Sequence, residues 1–104
     1  MIYQGGFKDG EFDGYGIIVN TEKHHREGSP NYRNLSDQEN CWEKYEGTFK
    51  ESEKNGVGYI HFNNGDLFVG EFKDDKANGL GVYTSAEHKV FGIWEDDHYR
   101  RGLA

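Results

Sequence analysis

Cysteine and proline each occur once in these 104 residues. A lone Cys41 cannot build an internal disulfide framework and fits a reducing compartment. The single proline, Pro30, belongs to a breaker, Gly28-Ser29-Pro30-Asn31. No apolar run approaches the roughly 18 residues that a membrane-spanning helix needs. The first residues, Met1 to Gly5, lack the basic and apolar regions of a secretory signal. Basic residues are also in deficit, with 12 Lys and Arg against 19 Asp and Glu and a formal charge of −7. That balance disfavours nucleic acid or an anionic bilayer as the default partner. A chain of this length allows one domain, and its small buried volume argues against a deep enzyme cleft.

Glycine and aromatic residues are abundant. Fifteen residues are glycine, roughly twice the usual share of about 7%, which fits poorly with a helical bundle. Seven tyrosines, seven phenylalanines and two tryptophans argue against disorder, in a chain only 34% hydrophobic. Most of them recur at fixed spacing. Tyr45-Glu46-Gly47-Thr48-Phe49-Lys50 leads to Gly56-Val57-Gly58, and 23 residues on Phe68-Val69-Gly70-Glu71-Phe72-Lys73 leads to Gly79-Leu80-Gly81. Val90-Phe91-Gly92-Ile93-Trp94 begins a partial copy that ends at Gly102-Leu103-Ala104. Tyr3-Gln4-Gly5-Gly6-Phe7-Lys8 with Gly14-Tyr15-Gly16 is an N-terminal copy.

Within each copy apolar and polar residues alternate, the period of a strand with one apolar face. Tyr45 to Lys50, Val57 to Phe62 and Leu67 to Lys73 read as strands, and Asn63-Asn64-Gly65-Asp66 reads as a tight turn. The expected fold is all-β, an antiparallel meander with one hairpin per repeat. Gly47 and Gly70 are expected to leave room for rings from neighbouring strands. Gly56, Gly58, Gly79 and Gly81 are expected to let the second arm coil sharply.

The run from Tyr45 to Asp66 resembles a MORN repeat (membrane occupation and recognition nexus), with Tyr45, Gly47, Phe49, Gly56, Gly58 and Gly65 on that family's motif positions. Phe68, Gly70, Phe72, Gly79 and Gly81 repeat the pattern, as do Tyr3, Gly5, Phe7, Gly14 and Gly16, while Val90, Gly92 and Trp94 begin a partial copy. The chain departs from it in the turn Ser85–Lys89, which has no glycine, and in an insertion after the first copy. The resemblance implies an elongated, twisted single-layer sheet and a single domain over 1–104. Its repeats lie near 3–19, 45–67 and 68–89, a partial one spans 90–104, and the insertion covers about 20–44. It also implies a binding or scaffolding role.

In the insertion, Ser36-Asp37-Gln38-Glu39 has the form of a capping box, which predicts a short helix from Asp37 to about Lys44. His24, His25 and Cys41 match no structural zinc spacing, and His61, His88 and His98 are isolated. Asp9, Asp74-Asp75 and Asp96-Asp97 recur at one loop position and read as a solvated acidic edge. The glycines form no phosphate-binding loop. No cofactor, metal or catalytic constellation is expected.

The reading is therefore a non-catalytic protein-interaction module, a small subunit or adaptor of a larger assembly in the cytoplasm, in some cases cytoskeletal. A partner helix or peptide is expected on a concave face lined by Tyr3, Phe7, Tyr45, Phe49, Phe62, Phe68, Phe72, Tyr83 and Trp94, with Trp42 as the candidate from the insertion. Unprotected sheet edges point to dimeric or end-to-end association. The alternative is a phospholipid-binding or membrane-apposed module, with Lys23, Arg26, Arg33, Arg100 and Arg101 as scattered cations.

Overall fold

The computed structural model describes residues 2–21, 32–35 and 42–102. Among them eight strands follow in chain order: β1 (Ile2–Lys8), β2 (Glu11–Val19), β3 (Trp42–Lys50), β4 (Glu53–Phe62), β5 (Leu67–Lys73), β6 (Lys76–Thr84), β7 (Lys89–Glu95) and β8 (His98–Gly102). Each pairs antiparallel with its predecessor, giving one open sheet in the order β1 to β8. The body measures 41 × 30 × 18 Å. This is the elongated meander of hairpins that the alternation and spacing predict. One expectation fails at its end: Trp42 to Lys44 open β3, with Trp42 opposite Phe62, and do not close a helix. In the strand, the indole shares the apolar face with Tyr45, which a local capping signal does not reveal. The capping box itself lies outside the described residues.

One register feature runs through the whole sheet. Gly5, Gly16, Gly47, Gly58, Gly70, Gly81, Gly92 and Gly102 stand opposite one another, strand after strand, as a continuous row. Rings lie flat over this row. Tyr45 covers Gly47 and Gly58, Phe68 covers Gly70 and Gly81, Tyr3 covers Gly5 and Gly16, and Tyr99 covers Gly92 and Gly102. For Tyr45, Phe68 and Tyr3 the ring comes from the same strand, two residues before its glycine, and not from a neighbouring strand as the sequence reading expects. The i, i+2 spacing puts ring and glycine on one face, so the ring folds along its own strand and over onto the next. The Tyr3 hydroxyl donates to the Gly6 carbonyl (2.8 Å) and the Tyr45 hydroxyl to the Thr48 carbonyl (3.1 Å), which fixes both rings in this pose.

The second ring of each repeat then meets the first edge-on. Tyr3–Phe49, Phe49–Tyr45, Tyr45–Phe72, Phe72–Phe68, Phe68–Trp94 and Trp94–Tyr99 form an unbroken series with centroids 4.9 to 5.8 Å apart. Such contacts are worth about 0.5–1.5 kcal/mol each beyond the area they bury.

The hairpin turns Asp9-Gly10, Glu51-Ser52, Asp74-Asp75 and Asp96-Asp97 hold two residues each, and all take positive φ. This is the two-residue turn whose twist suits a hairpin. A non-glycine residue there costs about 1–2 kcal/mol, and the second residue offsets that cost by bonding to the preceding repeat. Ser52 exchanges two bonds with Phe12, its N–H donating to the Phe12 carbonyl and its hydroxyl accepting the Phe12 N–H. Asp75 holds Lys54 in the same way and Asp97 holds Ala77, with carboxylate distances of 2.8 and 2.7 Å. Asp75 and Asp97 are thus structural clamps and not merely a solvated acidic edge. The first hairpin has Gly10 at this position, and no described repeat precedes it.

A methyl group on Gly81 would stand 2.7 Å from the Phe68 ring and 3.1 Å from Trp94, both fully buried. Gly81→Ala is therefore expected to cost up to about 3 kcal/mol in urea unfolding. Gly65→Ala, at φ 92° with open space around it, should cost about 1 kcal/mol. With Phe68→Ala already in place, the Gly81→Ala cost should shrink, and simple additivity of the two would contradict the ring-on-glycine account.

Candidate partner-binding site

The structure brings the expected aromatic face together and covers most of it. Tyr45, Phe49, Phe62, Phe68, Phe72, Tyr83 and Trp94 are all 5% exposed or less, whereas Phe7 is 62% exposed and Tyr3 and Trp42 are half-buried. The cover comes from within. Rings flat on the glycine row bring the next repeat's rings down onto them, so each repeat buries its neighbour's aromatics. Accessible apolar surface on this face remains at the N-terminal end, where Tyr3 stacks on Phe12 at 3.7 Å with Phe7 beside them, and along one cleft.

The cleft has a volume of ≈ 290 Å³, with an apolar floor of Trp42, Tyr45, Ile60, Phe62, Phe72 and Leu35. Its wall is made by Lys54, Asp75, Lys76 and Asp97 from the hairpin ends of successive repeats. The Lys54 ammonium stands 5.4 Å from the Tyr45 ring centre and 5.9 Å from that of Trp42. The clamp bonds place Asp75 and Asp97 on this wall. Burial, with Asp75 nearby, pushes the Tyr45 phenol well above its ordinary range, so it stays protonated. Burial also raises the Asp97 carboxyl, although the Ala77 N–H and the charges of Lys54, Lys76 and His98 oppose it.

Sequence reading found the aromatic floor but missed the wall. The recurring Asp pairs carried a signal, but nothing in spacing tells a turn carboxylate bonded across repeats from a solvated one. Leu35 had no signal, because the repeat pattern stops at the insertion.

The opposite face of the sheet is different. Ile2, Tyr15, Val57, Tyr59, Leu80 and Phe91 stand there with 45% or more of their surface exposed. A polar stripe on β3 divides them, where Lys44 and Glu46 pair at 2.7 Å beside His61. Among the described residues no group of three or more His, Cys, Asp and Glu could hold a metal ion, and no helix is long and apolar enough to cross a membrane. His24, His25 and Cys41 lie outside the described residues.

Asp97 offers a direct check on the wall. Its folded-state pKa lies above the unfolded value, so the folded protein binds the extra proton as pH falls through that window. The contribution of Asp97 to stability is then fully present below the unfolded pKa and declines as pH rises through the folded one. Asp97→Asn keeps the acceptor for the Ala77 N–H and should be as stable as the parent at pH 7, or more so. It should also lack that part of the acid-range pH dependence. Asp97→Ala loses the acceptor as well, and should be less stable than Asp97→Asn by about 1–2 kcal/mol at every pH. Paired urea titrations from pH 3 to 7 decide it, and equal losses for Asn and Ala would refute the assignment.

Rat alsin (Rattus norvegicus) is 27% identical over 113 residues, an alignment that covers 92% of this chain and 7% of that protein. The chain thus corresponds to a small fraction of the length of that relative. The MORN repeat family matches residues 3–19, 45–67 and 68–89, the segments that hold the glycine row from β1 to β6. With more than half of its residues matched in three copies, each copy setting a ring over facing glycines, the chain belongs to the MORN-repeat family.

Proposed function

We propose that this chain is a protein-interaction and scaffolding module, a small subunit or adaptor of a larger assembly, which takes a partner helix or peptide in the cleft of its ring-covered face. The chain is an all-β MORN-repeat module, and modules of this family generally mediate protein–protein contacts. The observation that carries the finer reading is the cleft. It offers an apolar floor with half-buried Trp42 and Ile60, beside a wall of alternating Lys and Asp. An amphipathic helix or an alternating extended peptide presents that combination of surfaces, apolar residues to the floor and charges of both signs to the wall. A membrane surface carries net negative charge from its anionic lipids and would meet Asp75 and Asp97 unfavourably.

The role of Tyr3 and Phe7 in this reading is association at the N-terminal end, where β1 pairs with β2 alone among the described strands and no described repeat covers the rings. A cytoplasmic place of action, on a cytoskeletal or other large protein assembly, belongs to the same reading. The small share of rat alsin that the chain matches suits a module that works within something larger.

Affinity capture from the native source with three baits tests the site. The parent chain and Leu80→Glu, altered on the opposite face, should retain the same partner. Ile60→Lys, with an unchanged circular-dichroism spectrum, should reduce recovery at least about tenfold, a loss of about 1.4 kcal/mol or more. Retention by Ile60→Lys together with loss by Leu80→Glu would move the interface to the other face.

A further inference from the structure

The insertion after the first repeat returns to the sheet at its far end. Residues Tyr32 to Leu35 lie against β8, with Asn34 bridging His98 in antiparallel sense. The Tyr99 N–H donates to the Arg33 carbonyl (3.0 Å) and the Leu35 N–H to the Asp97 carbonyl (2.9 Å). The Trp94 indole N–H donates to the Tyr32 carbonyl at 2.8 Å. The Tyr32 ring meets Tyr99 edge-on at 5.2 Å and Tyr83 at 6.2 Å, and Leu35 is 7% exposed in the core.

The position of these bonds follows the repeat. Phe12, Lys54 and Ala77 each stand five residues after the second ring of their repeat, and their N–H groups are taken by Ser52, Asp75 and Asp97 of the following repeat. Tyr99 is the equivalent residue of the last repeat, five after Trp94, and its N–H is taken by Arg33. The end of the sheet is thus an acceptor for one more segment, which the main chain of Tyr32–Leu35 fills. What it reads in that segment is a turn that ends in a single antiparallel bridge, with an aromatic residue and a leucine three positions later. Arg33 between the anchors is exposed, and its Nε–H donates to the Tyr32 hydroxyl (3.2 Å) with the guanidinium carbon 5.6 Å from the ring centre, so a cation at that position holds the aromatic anchor.

We infer that the surface formed by Trp94, Tyr83, Tyr99 and the edge of β8 is a docking site for a short, turn-forming protein segment of the pattern aromatic–basic–any–leucine, which Tyr32–Leu35 occupies in cis and a partner segment of that pattern takes by exchange. This surface adjoins the cleft, whose lining includes Leu35 and Asp97, but Trp94, Tyr83 and Tyr99 lie outside that lining, so a readout at Trp94 and Tyr99 is distinct from binding in the cleft. The ladder of eight strands is continuous without the insertion, whose described residues hold the last repeat by three hydrogen bonds, so release of the segment leaves every strand pair in place.

The test uses the full chain carrying Tyr32→Ala and Leu35→Ala, with the capped tetrapeptide acetyl-Tyr-Arg-Asn-Leu-amide as the probe. Its readouts are the nuclear magnetic resonance signals of the Trp94 indole N–H and the Tyr99 amide. Without peptide, both signals should leave their parent positions and exchange faster with solvent, while the amides of β3 to β6 stay protected. Millimolar tetrapeptide should return both toward the parent positions, and the reversed peptide acetyl-Leu-Asn-Arg-Tyr-amide should not. At the same concentration the peptide should perturb the parent chain several-fold less, because the tethered segment competes at an effective concentration in the millimolar range. Three results would overturn the inference: no return on adding peptide to a folded variant, equal response to the reversed peptide, or unfolding of the variant. Unfolding counts because an exchangeable segment must leave a folded sheet behind. A concentration-dependent dimer of the parent chain, in which a second copy's Tyr32 meets Trp94, would assign the surface to self-exchange and also overturn it.

Discussion

The structure depends on a close approach: aromatic rings lying flat on a β-sheet because no Cβ stands beneath them. An ordinary sheet face holds side chains upright, and a single layer of such a face leaves them half-wet. Here the glycine row lowers the first ring of each repeat onto the backbone, and the second ring then packs edge-on against it. Tyr45, Phe68 and Trp94 become fully buried although the described strands form a single sheet. Glycine weakens a strand by its entropy and its missing contacts, and the burial of two rings per repeat exceeds that loss. The composition of the chain, rich in glycine and rings but poor in aliphatic residues, is the record of this arrangement.

A second set of residues, in the hairpin turns, ties each repeat to the one before it. Each two-residue turn places its second residue at positive φ, and in three hairpins that residue reaches the backbone of the preceding repeat. Local strain and inter-repeat bonding are thus one device: the conformation that costs energy in the turn aims the acceptor at its neighbour. At Asp9-Gly10 the turn keeps the conformation without the side-chain acceptor. The series of clamps therefore runs in one direction, each repeat held by the one that follows it. The last repeat has no following one among the described residues, and the insertion fills that role.

How much of this the sequence disclosed follows from the range of each interaction. Leu67 to Lys73 was readable to the residue, because alternation and flanking turn residues act within a few positions. The ring-bearing positions were readable because they recur. The origin of the rings over the glycines was not, since spacing alone cannot tell a ring folded along its own strand from one reaching across. Asp75 and Asp97 were seen as a recurrence whose bonding partners lie about 20 residues away, in another repeat. Trp42 to Lys44 carried a helix signal that pairing with β4 overrode. The contact of Tyr32 with Trp94 spans 62 residues and has no counterpart elsewhere in the chain, so repetition could not announce it.

That last contact alters the kind of object the repeat array is. A solenoid whose repeats touch only their neighbours behaves as a one-dimensional chain, with end repeats that open first and independently of one another. The Tyr32–Leu35 segment leaves the junction between the first two repeats and bonds to the last one. Opening β8 therefore breaks contacts anchored at the start of the array, and fraying of the C-terminal end has to displace a segment tied near the N-terminal end. The rings make the same point in packing: the series that begins at Phe7 and runs through Trp94 and Tyr99 ends on Tyr32, a residue from the front of the chain. The order of repeats along the chain sets the order of strands in the sheet, but the insertion couples the two ends of that order to each other. Whatever binds at the C-terminal end consequently acts on the stability of the array as a whole, because it competes with the one described contact that joins its ends.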